Sequence, residues 1–416
     1  MKRPGLTPLL ILPFIALTAA FSNSQSPNPF AELHIRNGLP HFFSGLNKRD
    51  TTVIAYLGGS ITSAPGYRIQ TEQLFRSIYP TTAIKAINAG LGGTGSDLGV
   101  FRLQHDVLPY NPDLVFLEFA VNDYGTDTAV SSYAMEGIIR QIKKHNPATD
   151  ICLLYTLSTP MLEELKQEKI VRSMRTMERL ANHYRLPSIN LAVRIIDLLK
   201  KDSLVFAAPD STDARNRIVF SHDGVHPIFQ GHALYTQTID RSFRKIQEQQ
   251  KNRKYRMPAP LYPENYEAAR YLSPVSFSRT AGWKKIDSTH PLFRYTPALP
   301  DLMYTDDPAD SLIIRFTGTR LGIEDIIGPT SCGVQVTIDG QPVRIQRFDR
   351  FSARHRRSYF HLPDLANGQH TVVLKLDTTF VDKLNIVKKE EIKDPEEFKE
   401  NVIYIGKILV VGKPSE

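Results

Sequence analysis

The sequence of 416 residues is poor in the residue types that mark several large classes of protein. It contains two cysteines, Cys152 and Cys332, and one tryptophan. So few cysteines exclude a fold held together by a disulfide framework. Cys152 lies in an apolar run that predicts a buried strand, and Cys332 lies about 180 residues further on. We therefore expect two separate buried thiols, with a disulfide bridge as the alternative. Neither cysteine has metal-ligand spacing around it, so no metal site is expected. The net charge of +8 is small for this length, and without a basic helix interleaved with aromatic residues it does not indicate a nucleic acid partner.

Long apolar runs are also absent, with one exception at the N-terminus. Lys2 and Arg3 precede the run LTPLLILPFIALTAAF, which small and polar residues follow. This pattern predicts a signal peptide over residues 1–24, because the run is short for the roughly 20 residues that span a membrane. No cysteine follows it to carry a lipid anchor. We therefore expect a secreted or periplasmic protein with no stable membrane span after cleavage; an uncleaved anchor is the alternative.

Between residues 51 and 250, short apolar runs alternate with amphipathic segments. Strands are predicted at 51–58, 82–90, 113–123, 150–158 and 186–190, and helices at 67–80, 97–108, 128–145, 161–184 and 191–201. Near-continuous apolar strands between helices are typical of a parallel sheet that is covered on both faces. The sequence therefore predicts an α/β domain over 25–250, with three layers and a doubly wound parallel sheet.

The pattern changes after residue 250. A charged, proline-rich stretch predicts a linker over 251–270, and short strand-like segments separated by turn residues predict an all-β sandwich over 271–416. Residues 311–318 and 320–327 are expected to be two strands. Asp339-Gly340 predicts a tight hairpin turn. The β-sandwich is expected to be an accessory domain. Sugar binding, shaping of the rim of a site in the other domain and support of the fold are its alternative uses.

Four loops follow the predicted parallel strands or precede the last helix, and each is rich in glycine or small polar residues. They are GGS at 58–60, NAGLGGTGSD at 88–97, AVND at 120–123 and SHDGVHPIFQGH at 221–232. The carboxyl ends of parallel strands meet at one edge of a sheet, so these loops should converge. The first loop alone fits a helix start, a phosphate cradle or an exposed nucleophile. It lacks the GK[ST] and GxGxxG patterns of phosphate-binding loops.

Together the loops supply what acyl transfer needs. Ser60 offers a hydroxyl and its own N–H, and the Asp223–His226 spacing can aim a carboxylate at an imidazole. Gly93 offers a backbone N–H and Asn122 an amide N–H for an oxyanion. Each residue also has a structural alternative. Ser60 suits a helix N-cap, Gly93 and Asn122 suit turns, and Asp223 and His226 suit a hydrogen-bonded loop.

These four blocks, in this order, resemble the SGNH (GDSL-like) hydrolase superfamily. The resemblance covers about half of the chain and implies a flavodoxin-like catalytic domain that needs no cofactor. It implies that Ser60 is the nucleophile, His226 the general base and Asp223 its orienting partner. It also implies that Ser60, Gly93 and Asn122 form the oxyanion hole.

Two positions depart from the family's pattern. Gly59 stands where the first block usually has aspartate, and Ala120 stands where the third block usually has glycine. The first departure leaves open how the backbone around Ser60 is held. The second adds a methyl group that could narrow the pocket.

An exported esterase with a β-sandwich partner resembles the carbohydrate esterases of this superfamily. The expected activity is removal of O-acetyl groups from a glycan, so the expected partner is an acylated glycan. A lipase or lysophospholipase and a catalytically silent glycan-binding protein are the alternatives. Glu118 is expected to be a buried acid, with Arg102 as a possible partner. The arginine-rich stretch 344–357 is expected to be a solvated face, with a cradle for acidic sugars as the alternative, and the sequence does not indicate an oligomeric state.

Overall fold

The computed structural model describes Met1 and residues 28–46, 48, 50–213, 215–249 and 255–415. The predicted signal peptide, apart from Met1, and residues 251–254 of the predicted linker lie outside this part of the chain. No helix within the described residues is long and apolar enough to cross a membrane.

The N-terminal half forms a mainly parallel sheet of six strands in the described residues. Its order is β1-β6-β5-β4-β2-β3, with β1 antiparallel to β6 and the other strands parallel. The strands are β1 (Leu33–His34), β2 (Thr51–Gly58), β3 (Ala83–Gly90), β4 (Leu114–Glu118), β5 (Asp150–Tyr155) and β6 (Ser188–Asn190). β4 and β5 are buried along their whole length, as expected for strands covered on both faces.

Helices connect and flank these strands, and a small parallel pair of strands lies beside the sheet. The helices are α1 (Pro40–Leu46), α2 (Ser60–Ser63), α3 (Tyr67–Ile78), α4 (Ser96–Asp106), α5 (Thr128–His145), α6 (Leu162–Lys166), α7 (Arg172–Tyr184), α8 (Ala192–Lys200) and α9 (Phe229–Gln249). The small pair is β7 (Leu204–Ala207) and β8 (Ile218–Ser221). This arrangement confirms the predicted α/β class.

One predicted helix is wrong in its extent. The sequence predicts a single helix over 161–184, but the structure has α6 and α7 with a break over 167–171. Glu168 lies in the left-handed region at φ +59°, and Ile170 and Val171 turn into the core. The segment contains no glycine or proline, so its local sequence favours a continuous helix. Burial of these two apolar side chains outweighs that preference.

The C-terminal half is an antiparallel all-β region, as the sequence predicts. Its strands are β9 (Ala269–Leu272), β10 (Ser278–Arg279), β11 (Lys284–Lys285), β12 (Met303–Thr305), β13 (Leu312–Ile327), β14 (Gly333–Ile338), β15 (Gln341–Gln346), β16 (Arg356–His361), β17 (Gly368–Asp377) and β18 (Ile403–Pro414), with the short helix α10 (Lys383–Ile386) before β18. Asp339 and Gly340 both have positive φ in the turn between β14 and β15, which confirms the predicted hairpin.

β13 is one strand of 16 residues, not the two strands that the sequence predicts. It continues through Gly318 by a bulge against β18. A Cβ atom at Gly318 would lie 2.1 Å from the carbonyl oxygen of Val411. The glycine therefore permits close approach of two strands instead of ending one.

The two halves share a core. The apolar cluster around β2, β4, α4 and α5 also includes Tyr266, Ala269, Leu409 and Val411, which come from the C-terminal region and the segment that leads into it. Cys152 and Cys332 are free and buried, which confirms the expectation of separate thiols. The domain boundaries at 250 and 270 stay a prediction.

Candidate active site

The carboxyl ends of β2, β3 and β4 bring together the three loops at 58–60, 88–97 and 120–123. In the parallel register Gly58 of β2 lies opposite Gly90 of β3 on one side and Glu118 of β4 on the other. A Cβ atom at Gly58 would lie 2.5 Å from the carbonyl oxygen of Glu118, so the close strand contact requires glycine there. Ser60 then begins α2, directly beyond the edge of the sheet.

Ser60, His226 and Asp223 form a continuous chain of hydrogen bonds. The Nε2 atom of His226 lies 2.8 Å from Ser60 Oγ, and its Nδ1 atom lies 2.6 Å from Asp223 Oδ2. Ser60 lies 166 residues before His226 in the sequence, whereas Asp223 lies in the same loop as His226. His226 and Asp223 are about half exposed, at 47% and 53%, so the chain of hydrogen bonds is open to solvent.

The Asp223 carboxylate is held by several donors besides His226. Its Oδ1 atom accepts the backbone N–H groups of Val225 and His226 at 2.9 and 2.8 Å and the Ser221 hydroxyl at 3.0 Å. Partial desolvation acts to raise the pKa of Asp223, but the hydrogen bonds from His226, Val225 and Ser221 outweigh it and lower this pKa well below its ordinary range. The carboxylate is therefore ionised at neutral pH and oriented toward the imidazole.

The turn that carries these two residues depends on Gly224. This residue has φ +75°, in the left-handed region that favours glycine, and its carbonyl accepts hydrogen bonds from the backbone N–H and the hydroxyl of Thr159. The loop after β5 thus supports the loop that holds His226. Thr159 carries no signal in the sequence that would connect it with the site.

The structure explains why glycine occupies position 59. A Cβ atom there would lie 1.9 Å from Asn122 Oδ1, so the Asn122 side chain rests directly against the Gly59 backbone. The φ of Gly59 is −88°, which any residue can adopt. Glycine therefore suits this position because it has no side chain, and not because of its backbone conformation. An aspartate at position 59 would require the Asn122 side chain to move. The aspartate that is usual in the family is therefore replaced by a glycine that leaves space for Asn122 beside Ser60.

The second loop runs beside Ser60. A Cβ atom at Gly92 would lie 3.7 Å from Ser60 Cβ, and Gly93 follows with φ +73° and open space on its side-chain side. The Ser60 backbone N–H, Gly93 and Asn122 therefore lie around the same corner of the sheet edge. Ala120 is fully buried in the core, so its methyl group packs in the interior and does not narrow the open side.

Glu118 lies buried beneath this corner, and its expected pairing with Arg102 is wrong. The Glu118 carboxylate accepts hydrogen bonds from the hydroxyls of Thr62 at 2.8 Å and Thr156 at 2.5 Å. Burial raises its pKa, although these two hydroxyls and the Gly59 backbone oppose that shift. Arg102 instead binds Asp106 and the carbonyl oxygen of Gly58. Arg102 thus holds the Gly58 carbonyl and Glu118 the Gly59 backbone, and the apolar context of β4 did not indicate this role of Glu118.

A cavity of about 470 Å³ lies between the second loop and the β region. Leu91, Gly93 and Leu98 line one side, and Phe351 and Tyr359 line the other. Four arginines of the stretch 344–357 form ion pairs with carboxylates of the same region; the pairs are Arg344–Asp377, Arg347–Asp325, Arg356–Asp349 and Arg357–Glu324. Their charges are thus largely neutralised within the fold. Among the described residues no cluster of three or more His, Cys, Asp or Glu side chains could hold a metal ion.

Comparisons with known proteins bear on the family and on the fold. Residues 56–234, which include every candidate site residue, match the GDSL-like Lipase/Acylhydrolase family. A two-domain esterase (CEX) active on acetylated mannans, co-crystallised with mannopentaose, is similar in structure, with a TM-score of 0.71 and 19% identity over 92% of this chain and 97% of that chain. A second structure of a two-domain esterase of that description gives a TM-score of 0.70, with 19% identity over 93% and 97%. None of the curated proteins matches this chain. At this identity the structural likeness establishes a shared fold across both halves.

Proposed function

Because residues 56–234 form a hydrolase domain of the GDSL-like lipase/acylhydrolase family, we propose that this protein is a serine esterase that removes O-acetyl groups from a polysaccharide or oligosaccharide. The observation that carries the proposal is the hydrogen-bonded chain from Ser60 through His226 to Asp223. A serine that serves only as a helix N-cap would not need a histidine at 2.8 Å from its hydroxyl.

The arrangement supports a two-step acyl transfer. Ser60 Oγ attacks the acetyl carbonyl carbon while His226 Nε2 takes the hydroxyl proton, and the ionised Asp223 stabilises the imidazolium that results. The N–H groups of Ser60, Gly93 and Asn122 receive the oxyanion. The bond to the sugar oxygen then breaks, and that oxygen takes the proton from His226. Water, activated by the same imidazole, releases acetate from the acetyl-Ser60 intermediate.

Two observations support a carbohydrate ester as the substrate. The esterase with the same two-part fold along nearly the whole chain acts on acetylated mannans. The half-exposed His226 and Asp223 also leave the nucleophile accessible to a bulky polymer. We propose further that the apolar N-terminal segment directs export, so that the enzyme meets its glycan outside the cytoplasm.

The first prediction tests the nucleophile. We expect Ser60→Ala to lower kcat for p-nitrophenyl acetate, and acetate release from an acetylated mannan, by at least about 10³-fold, because the acyl-enzyme cannot form. Ser63→Ala, a serine at the end of the same short helix, serves as the control and should retain activity. Equal acetate release by Ser60→Ala and the wild type would refute the serine mechanism.

The substrate class is tested separately with esters of different acyl length. An acetylesterase should hydrolyse acetyl esters of sugars faster than octanoyl esters. A preference for octanoyl esters would instead indicate a lipase-type activity that uses the apolar cavity beside Gly93. Glycan binding without turnover of any ester would indicate a silent binding protein.

A further inference from the structure

Gly93 itself is exposed, whereas Thr94 and Gly95, which follow it, are buried. No atom lies within 4 Å of the position that a Cβ atom of Gly93 would take. A candidate oxyanion donor in so open a position must be fixed by neighbouring residues. Its orientation therefore depends on the contacts made by the residues that follow it, up to the start of α4.

One of these contacts comes from the catalytic half itself. Asp123, beside Asn122, accepts the backbone N–H of Ser96 at 2.9 Å. A Cβ atom at Gly95 would lie 2.6 Å from Asp123 Oδ1 and 2.8 Å from Asp97 Oδ1, so two carboxylates converge on this glycine. Asp123 thus ties the second loop to the third.

The other contact comes from the β region. Tyr359 of β16 donates its hydroxyl to Asp97 Oδ1 at 3.0 Å, and the Gly95 backbone interacts with the same hydroxyl oxygen. Two residues further along β16, His361 Nε2 lies 3.5 Å from Asp97 Oδ2, and its ring stacks on Phe101 of α4. Strand β16 therefore contacts the oxyanion loop and the first turns of the following helix.

The charges at this contact favour a strong hydrogen bond. Burial acts to raise the pKa of Asp97, but the nearby His361 ring, the hydrogen bond from Tyr359 and the Arg320 charge lower it overall. Burial and the Asp97 charge raise the pKa of Tyr359 above its ordinary value. A neutral phenol thus donates to an ionised carboxylate, and such charge-assisted bonds are about twice as strong as neutral ones.

We infer that Tyr359 is a positioning residue for the oxyanion hole: through Asp97 it fixes the loop that presents the Gly93 N–H to the reacting ester. This inference rests on the proposed esterase activity. The β region thereby influences the chemical step, because the Tyr359 hydroxyl on β16 orients the Gly93 N–H of the catalytic half.

The test uses Tyr359→Phe in the full-length protein, with p-nitrophenyl acetate as the substrate. This ester has no sugar, so a lost glycan contact cannot explain a change. We expect kcat to fall about tenfold with KM within twofold, since a displaced donor weakens transition-state binding more than substrate binding. The inhibition constant of a boronic acid that forms a tetrahedral adduct with Ser60 should rise by a similar factor.

Tyr271→Phe is the matched control. Tyr271 lies on β9 at the same interface, and its hydroxyl is buried without a hydrogen-bond partner among the described residues. It should keep the wild-type kcat. Asp97→Asn removes the charge of the carboxylate that accepts the Tyr359 hydrogen bond, and it should also lower kcat. This variant tests the inference independently if Tyr359→Phe is poorly folded.

An unchanged kcat in both Tyr359→Phe and Asp97→Asn would overturn the inference, as would an equal loss in Tyr271→Phe. Ser60→Ala separates this failure from failure of the proposed function. If Ser60→Ala is inactive while Tyr359→Phe and Asp97→Asn match the wild type, only the positioning role is wrong. If Ser60→Ala remains active, the proposed mechanism is wrong as well.

Discussion

At the scale of single residues, Gly59 shows how a departure from a family's pattern can be part of the site. The aspartate that is usual in the family would have to displace the Asn122 side chain, which rests against Gly59. The buried Glu118 lies below the same corner and accepts hydrogen bonds from Thr62 and Thr156. Acidic support for the loop that carries Ser60 thus comes from the neighbouring strand.

Gly59→Ala is predicted to damage catalysis more than stability. The new methyl group must displace the Asn122 side chain, so kcat should fall on the order of 10- to 100-fold, since one oxyanion donor is worth about 10²- to 10³-fold. The melting temperature should change little. Gly125→Ala is the control, because a Cβ atom there has open space.

A double substitution separates displacement of Asn122 from other effects of the methyl group. If Gly59→Ala acts through Asn122, adding it to Asn122→Ala should cause no further loss of kcat. Additive losses in the double variant would contradict this explanation.

At the scale of elements, the edge strand β1 is attached to α7 by one carboxylate. Glu178 of α7 accepts a hydrogen bond from Arg36, lies 2.9 Å from His34 Nδ1 and accepts the Tyr155 hydroxyl at 2.6 Å. Burial acts to raise the pKa of Glu178, but the hydrogen bonds from His34 and Tyr155 and the Arg36 charge lower it to about 2. The short strand at the edge of the sheet therefore depends on an ionised side chain.

This depressed pKa predicts a particular dependence of stability on pH. An unfolded glutamate has a pKa of about 4.3, so the stabilisation is complete above that value and is lost as the pH falls toward 2. It amounts to roughly 3 kcal/mol. Glu178→Gln should lower the free energy of unfolding by about this amount at pH 7, and the difference from wild type should shrink below pH 4.

Urea unfolding at pH 7, 5, 4 and 3 measures this difference. Glu163→Gln, which removes an exposed carboxylate of α6, should leave the free energy of unfolding within about 0.5 kcal/mol of wild type at each pH. A constant difference between wild type and Glu178→Gln across the series would contradict the assigned pKa.

At the scale of the whole molecule, the β region and the catalytic half are joined by more than a linker. Leu409 and Val411 of the last strand belong to the apolar cluster of the catalytic half, and Tyr359 donates a hydrogen bond to Asp97 at the start of α4. Separation of the halves would expose apolar surface on both. Their unfolding should therefore be coupled.

Calorimetry of the full chain is predicted to show one cooperative transition, with calorimetric and van't Hoff enthalpies that agree. Leu409→Ala, at the shared core, and Leu374→Ala, in the separate core of the β region, should both lower the temperature of that single transition. Each substitution should lower the free energy of unfolding by roughly 2–5 kcal/mol, because it truncates a buried leucine. Two resolved transitions, of which Leu374→Ala shifts only one, would show that the halves unfold independently.

The sequence by itself determined the class of both halves, the parallel strands and the loops that hold the candidate site. These follow from local signals: apolar runs, helical periodicity, turn residues and the order of four short blocks. The assignment of catalytic roles to Ser60, His226 and Asp223 remains a prediction, although the structure brings them within hydrogen-bond distance.

Only the tertiary structure decided the features that depend on contacts distant in sequence. The break before α7 comes from burial of Ile170 and Val171, and the continuity of β13 comes from its close approach to β18. The fit of Gly59 against Asn122, and the hydrogen bond from Tyr359 to Asp97 across 262 residues, likewise have no local signal. Local patterns report what a segment can form, whereas packing decides which groups meet.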